Sequence, residues 1–404
     1  MLMSSKTKNI ISIQREPETK YKVLCYVIPL ILSGIAVGWY LLKNGMPGVG
    51  GYYMIHYLYT YNHGYIARGL VGEVLSLLFD NISDNIMSGT VFVFSVLYAL
   101  TFALFSGSVL RRCLGDTERL TFTALIIAVL YASPATFRMY MGDIKPDKLL
   151  WVFTFMAMLV LDKKYLFWLA PVFCIIATFV NPVFLFMSMF LISIAMLREF
   201  VVSGYSKKYG IICAVSYVLM IAIGVYGVIS EKFVGFETPR EMVDYYFSRY
   251  TGSVDIDYES FETEWLFDYF SESLDLNRAF QIYFVNWENG FKCIFSFLFF
   301  ALPVFSVLAV FWKKASLKTD NRMQKFIYFL CAISPVATLP VIVVSWEASK
   351  YFTCNAVVQM FLMAYFISKN DLCVTDTLKE FFDYLREHFI LSASIVAYLA
   401  MMFS

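Results

Sequence analysis

A few short clusters of charge interrupt an otherwise apolar chain, and each has a chemistry it is suited to. Asp143 and Asp147 flank Lys145 and Pro146 just ahead of an apolar block, with Arg138 a few residues earlier. Two carboxylates at this spacing suit orienting a sugar hydroxyl, taking its proton, or binding a divalent cation. Asp147 also stands where an N-cap carboxylate would stand if a helix starts at residue 148, which is a purely structural use. Arg68 lies between Gly64 and Gly69 at the start of a helical pattern. A guanidinium offers forked donors and a helix start adds backbone N–H groups, so the pair suits a phosphate or diphosphate. The ordinary alternative is an interfacial arginine snorkelling to lipid phosphates. Glu73 comes more than one helical turn later, as a candidate base or as a solvated or arginine-pairing carboxylate. Glu347 and Lys350 are three apart, either a self-contained i,i+3 pair or a lysine facing phosphate with a glutamate facing sugar. His56 and His63 read as hydrogen-bonded loop residues, with acid–base work as the lesser reading. Asp143, Asp147 and Glu73 are thus the candidate catalytic groups. Arg68, Lys145, Glu347, Lys350, Arg138 and His63 form the candidate phosphate- and substrate-binding set.

The elements that must position these groups are membrane helices. Of 404 residues, 59% are hydrophobic and 16% are charged, against roughly a quarter charged in an average soluble chain. Disorder, a collagen-like fibre, a small disulfide scaffold and an ordinary soluble enzyme are all excluded, because the apolar residues come in long blocks. The eight Cys include no CxxC pair and sit mostly inside those blocks, as small fillers. Three His leave no set for a multi-histidine metal site, and no cofactor is implied beyond the divalent cation the carboxylates would suit. A bilayer core is ~30 Å thick and a spanning helix needs ~20 apolar residues. Spans are expected near 23–42, 89–110, 120–137, 148–161, 165–180, 183–197, 211–230, 291–312, 326–345, 351–368 and 389–403. Asn181-Pro182 divides one long apolar run into two, because proline disfavours helix in the residue before it. One kinked helix is the alternative, and it would reverse everything downstream.

Charge orients the chain. With the N-terminus inside, 21 of the 32 basic residues fall in the inner segments, while 19 of the 31 acids fall outside. The positive-inside rule then fits each short loop. The first apolar stretch is span-length and lacks a small-residue cleavage site, so no cleavable signal is expected, and the C-terminus ends outside. The domain plan is a cytoplasmic tail (1–22), a transmembrane module (23–230) carrying a first outer loop (43–88), an outer amphipathic segment (231–290) and a C-terminal transmembrane module (291–404). Leu70, Val74, Leu77 and Leu78 recur at helical spacing, so 69–79 reads as a helix lying at the interface. Segment 369–388 alternates Leu378, Phe381, Phe382 and Leu385 with Lys379, Asp383 and Arg386, as an inner-surface amphipathic helix does. Almost no charge falls mid-span, which disfavours an ion-coupled transporter. The polar groups collect where spans meet the outer face, a place that suits a ligand with a lipid tail and a polar head.

Three of these clusters also carry a resemblance. Tyr65-Ile66-Ala67-Arg68-Gly69-Leu70-Val71-Gly72 resembles the Y-x-R-R-G-L-x-G signature of bacterial polytopic proteins encoded with cell-surface polysaccharide genes. Gly142-Asp143-Ile144-Lys145-Pro146-Asp147 resembles their outer R-x-D stretch, and Trp346-Glu347-Ala348-Ser349-Lys350-Tyr351 their late W-D-x-x-R-W stretch. The general plan is similar to C-type membrane glycosyltransferases, which take a sugar from a polyprenyl-phosphate carrier on the outer side. The departures are that Ala67 replaces one of the tandem arginines, and that Glu347 and Lys350 replace Asp and Arg; lysine is the weaker bidentate binder. The first outer loop also lacks a carboxylate directly after the first span; its acids are Glu73, Asp80 and Asp84.

The expectation is therefore an all-α polytopic protein of the bacterial inner membrane, with about eleven transmembrane helices and outer-face interfacial helices. The resemblance implies sugar transfer from a polyprenyl-linked saccharide at the outer leaflet, with Arg68 and Lys350 on the donor phosphate and Asp143 or Asp147 deprotonating the acceptor. Its partners would be membrane lipid and other polysaccharide-assembly proteins, not nucleic acid. An O-antigen or capsule repeat-unit polymerase, a lipid-linked-saccharide flippase and a non-catalytic partner of a polysaccharide machine are the alternatives.

Overall fold

The computed structural model describes residues 19–63, 69–133, 136, 139–140, 144–161, 163, 165–229, 236–253, 291, 294–295, 297–338 and 348–403. Their regular structure is helical. Their element order is α1 (Thr19–Asn44), α2 (Ile55–Leu58), α3 (Gly69–Leu78), α4 (Asp84–Arg112), α5 (Thr117–Ala132), α6 (Lys148–Leu161), α7 (Leu169–Val180), α8 (Phe190–Val202), α9 (Lys207–Ile229), α10 (Pro239–Phe247), α11 (Leu302–Leu317), α12 (Arg322–Ile333), α13 (Ala348–Ser368), α14 (Leu372–Glu387) and α15 (Phe389–Phe403). Single π turns, Leu185–Met189 and Phe297–Ala301, lead into α8 and α11. Among the described residues the only sheet-like contact is one isolated bridge, Ile82 with Tyr250.

At least part of each of the eleven apolar segments expected from hydropathy is helical. Three are long and apolar enough to cross a membrane, α1, α4 and Leu185–Val202, or four if the bent pair α13–α14 is counted as one span. α6 has 14 residues and α7 and α12 have 12 each. At 1.5 Å per residue these reach only about 18–21 Å, short of a ~30 Å core. A belt of exposed apolar side chains surrounds the bundle, with Ile35 61%, Trp39 62%, Ile211 64% and Val218 67% exposed. Apolar area of this extent, facing away from the protein, is what lipid covers.

Helix starts follow local chemistry. Asp116 caps α5 by accepting from the Arg119 N–H at 3.0 Å. Thr238 caps α10 ahead of Pro239, Asn321 caps α12 and Asp371 caps α14, as expected for residues whose side chains replace the missing helical acceptor. α13 stops at Ser368 because Asn370 takes a left-handed backbone, φ 61°. Asp371 N–H then bonds back to Phe366 O at 3.1 Å. The chain turns there by 118° into α14.

α1 lies along α4, which also packs on α6, while α6 packs on α7. The interior between α4, α6 and α13 is aromatic. Phe155 stacks with Phe102 at 5.3 Å and Phe105 at 5.5 Å, and meets Phe361 edge-on at 5.0 Å. These rings are almost wholly buried. Offset and edge-to-face pairs of this kind add to the effect of burial alone, and they hold the helices whose ends carry the charged clusters.

α4 has two chemically distinct ends. At its first residue, Asp84 accepts from the Tyr250 hydroxyl and from Ser253 N–H and Oγ, both at 3.1 Å. At its last residue, Arg112 donates to Ser368 Oγ at 3.3 Å. The 29 residues between them span about 43 Å. The described residues 82–84 and 249–253 therefore meet at one end, and the basic segments 111–119, 198–199 and 368–371 at the other.

Candidate functional site

The helix break at Asn181 builds the first part of the site. Pro182 biases the residue before it towards extended backbone, and Asn181 has φ −159° and ψ 119°. Its Oδ1 accepts from Val183 N–H at 3.1 Å, an Asx-type turn that starts the next helical segment. The amide nitrogen is then directed away from the turn and donates to Asp147 Oδ1 at 2.8 Å. Asn181 is 2% and Asp147 6% exposed. One buried amide thus satisfies both of its ends and fixes a carboxylate that burial would otherwise disfavour.

The next residue, Lys148, opens α6 and is fully buried. Its ammonium donates to Ser95 Oγ at 2.8 Å. Ser95 lies about 16 Å along α4 from Asp84 and about 5 Å from that helix's midpoint. Lys148 is thus an exception to the expectation that almost no charge falls mid-span. Hydropathy assigns a charge at a helix start to the surface, but α6 begins inside the bundle, so Asp147 and Lys148 are carried in with it. Ionisable groups at such depth are expensive to keep and mark functional sites by default. Neither Lys148 nor Asn181 is among the site residues expected from sequence. The cue available was an asparagine in front of a proline inside an apolar run.

The first outer loop covers this cluster. The Tyr57 hydroxyl donates to Ile144 O. The Lys145 ammonium sits 5.5 Å from the centre of the Tyr53 ring, and the residue is 8% exposed, a cation–π placement. Glu73 is half-buried, and its Oε2 accepts from Tyr61 N–H at 2.9 Å, while the Tyr61 hydroxyl reaches Phe179 O at 3.4 Å. Gly72 presses so closely on the Tyr59 backbone that a Cβ there would collide with it. α10 closes the side. Tyr59 meets Tyr246 edge-on at 4.8 Å, and Asn62 donates to the Tyr245 hydroxyl at 3.3 Å. The His63 ring packs against Tyr245 at 4.4 Å and Phe236 at 4.7 Å. Burial, then Tyr245 and the charge of Glu73, push the Tyr246 hydroxyl above the ordinary phenol range.

Of the expected residues, Asp147, Lys145, Glu73 and His63 come to this one end of the bundle. Glu73 is engaged by backbone N–H, an anchoring use. Arg68, Arg138, Asp143 and Glu347 lie outside the described residues, and Lys350 is described only as backbone in the first turn of α13. His56, expected in a loop, is in α2 and fully buried. The run 55–58 closes into a helical turn under α3, where burial of Ile55, Tyr57 and Leu58 decides its form. Asn181-Pro182 ends one helix and starts another, as the two-helix reading expected. Among the described residues no three His, Cys, Asp or Glu stand together as metal ligands.

A family model described as Uncharacterised membrane protein Rv1490 matches residues 26–276. The match runs from α1 through α10 and takes in the whole of this cluster. Among curated proteins and solved structures, none matches the chain.

Proposed function

The chain belongs to the Rv1490 family of membrane proteins, and from that premise we propose that it is a glycosyltransferase acting on a polyprenyl-phosphate-linked donor at the outer leaflet of the bacterial inner membrane, in cell-surface polysaccharide assembly. In this reading the protein crosses the bilayer about eleven times, with the N-terminus in the cytoplasm and the C-terminus outside. The basic end of the bundle faces the cytoplasm, and the Asp147 cluster lies buried towards the outer side. The observation that carries the reading is the Asp147 carboxylate, buried and held by Asn181 beside the buried Lys148, beneath the aromatic cover of the first outer loop.

The chemistry follows from the groups. The acceptor hydroxyl oxygen attacks the anomeric carbon of the donor sugar. The bond from that carbon to the phosphate oxygen breaks, and its electron pair leaves with the phosphate. The acceptor's proton passes to a carboxylate, Asp147 or Asp143. Arg68, Lys145 and Lys350 would neutralise the departing phosphate, and Glu347, Arg138 and His63 would hold sugar or phosphate. The leaving group is already good, so positioning and charge neutralisation supply most of the rate. Asn181 is a positioning residue for Asp147.

The test is transfer by purified protein supplied with a polyprenyl-phosphate-linked sugar, comparing wild type with Asp147→Asn, Asp143→Asn and Arg68→Ala. Loss of transfer in a carboxylate variant that still folds is the expected result. Loss only in Arg68→Ala, with ladder-like product lengths, would favour the repeat-unit polymerase. No turnover, with the carrier crossing the bilayer, would favour the flippase.

A further inference from the structure

Residues 236–253 carry α10 and then run to the start of α4, touching the cover of the Asp147 cluster at one end and residues 79–84 at the other. From these two sets of contacts we infer that 236–253 is a strap holding the first outer loop closed over Asp147, with Asp84 as the catch that secures it. The inference rests on the transfer reading above, because a cover that opens matters only where a substrate must enter.

The arrangement described is the closed one. Asp147, Lys145 and Asn181 are all buried, so a sugar-sized acceptor reaches the carboxylate only after something moves. The direct cover is the segment 53–61, through the Tyr57 hydroxyl on Ile144 O and the Tyr53 ring over Lys145. α10 lies against that segment. Its buried residues are Met242, Val243 and Tyr246; Tyr246 meets Tyr59, and Tyr245 and Phe236 hold the His63 ring. The contacts here are chiefly between rings, joined by the bond from Asn62 to the Tyr245 hydroxyl. Directional bonds concentrate at the other end of the strap. Ile82 N–H donates to Arg249 O at 2.8 Å, and Thr251 N–H donates to Ile82 O at 3.0 Å. Arg249 Nη2 donates to Phe79 O at 2.8 Å. Asp84 takes three donors from the strap, the Tyr250 hydroxyl and the N–H and Oγ of Ser253. Bonds to an ionised acceptor are the stronger kind. Gly252 makes room for them, because a Cβ there would overlap both the Tyr250 hydroxyl and Asp84 Oδ1. Five consecutive residues, 249–253, are thus committed to residues 79–84, four by bonding and one by having no side chain. A segment with a ring-packed face over a site and a compact polar catch at its end is built to open as a unit when the catch lets go.

The experiment uses the full-length protein in phosphatidylcholine nanodiscs, with hydrogen–deuterium exchange and labelling of carboxylates by a water-soluble carbodiimide, both read by mass spectrometry. Tyr250→Phe/Ser253→Ala removes two donors from the catch, and Gly252→Ala wedges it; both change the strap alone. Each should speed amide exchange in 242–247 and 55–63 by at least about tenfold, the combined worth of two hydrogen bonds. Each should also raise labelling of Asp147 while leaving exchange in α8 and α13 unchanged. Glu237→Gln, an exposed strap residue outside the catch, should behave as wild type. If 242–247 exchange faster and Asp147 stays protected, the strap is not the cover. If neither catch variant speeds 242–247, or Glu237→Gln does so equally, Asp84 is not the catch. Faster exchange in α8 and α13 as well would mean general loosening. Any of these results overturns the proposal. No readout here uses sugar transfer, so failure of the strap and failure of the transfer reading are separate results.

Discussion

The two ends of α4 handle buried charge in opposite ways. Around Asp147 the described charged groups are buried, and neutral side chains bond to them, Asn181 to the carboxylate and Ser95 to the Lys148 ammonium. Towards Arg112 charges pair with one another, and Glu199 is shared among Arg198, Lys369 and the Tyr365 hydroxyl. A neutral donor orients a carboxylate, whereas a shared carboxylate ties several segments into one network.

Substitutions can break or sharpen that contrast. The largest effect belongs to Asp147→Asn. Its oxygen can still accept from Asn181, so the protein should melt near the wild-type temperature, but transfer to an acceptor should fall by about 10²–10⁴-fold. Retained transfer would strip the outer end of its assigned role. Gly72→Ala comes next. The added methyl meets the fixed Tyr59 backbone, so thermal unfolding in detergent should show a loss of about 3 kcal/mol. The matching change at the basic end, Gly107→Ala, meets the Tyr26 ring and the Cys25 carbonyl oxygen, with fewer backbone atoms in the way, and should cost about 2 kcal/mol. Equal losses at the two glycines would show that both ends are packed with the same rigidity. Asn181→Ala removes one donor and one acceptor and should destabilise by about 1–3 kcal/mol. In a transfer assay it should lower kcat more than it raises KM, as a positioning residue does. Arg119→Ala frees the carbonyls of Ile367 and Ser368, which the guanidinium now holds at 2.9–3.1 Å. A loss of about 1 kcal/mol in the same unfolding assay is expected. At the small end, Lys379→Ala breaks an exposed pair with Glu118 at 3.0 Å and should leave the melting temperature unmoved, because water already screens it.

The parts of the molecule that hydropathy and punctuation control were legible from residues. Lys148–Leu161 begins and ends where its apolar block does, Asn181-Pro182 divides two helices, and the alternation in 369–388 corresponds to α14. What escaped was depth. Nothing in a linear pattern says whether a charge at a helix start lies at the water boundary or inside, because that depends on how far the preceding segment descends before the helix begins. From sequence Lys148 is therefore one more charge at a helix start, and Asn181 only punctuation. Its side chain gains a second use because α6 and α7 pack together and set it against Asp147. The aromatic cover is similar. The tyrosines of 52–61 announce an interfacial loop, but only packing of α10 against α2 brings Tyr246 to Tyr59 and Tyr245 to His63.

The sharp bend at Asn370 has a consequence for how this chain tolerates insertions. α14 is tied on two sides, by Lys318 to Glu380 at 2.8 Å and by Lys379 to Glu118, and it turns Val374 and Leu378 inward. One extra residue inside the first turn of α14, between Leu372 and Val374, would rotate the rest of the helix by about 100° relative to its capped start, rolling those two apolar side chains towards water and loosening both ties. Four extra residues would bring it round to nearly its original facing. Along this stretch, phase matters more than length.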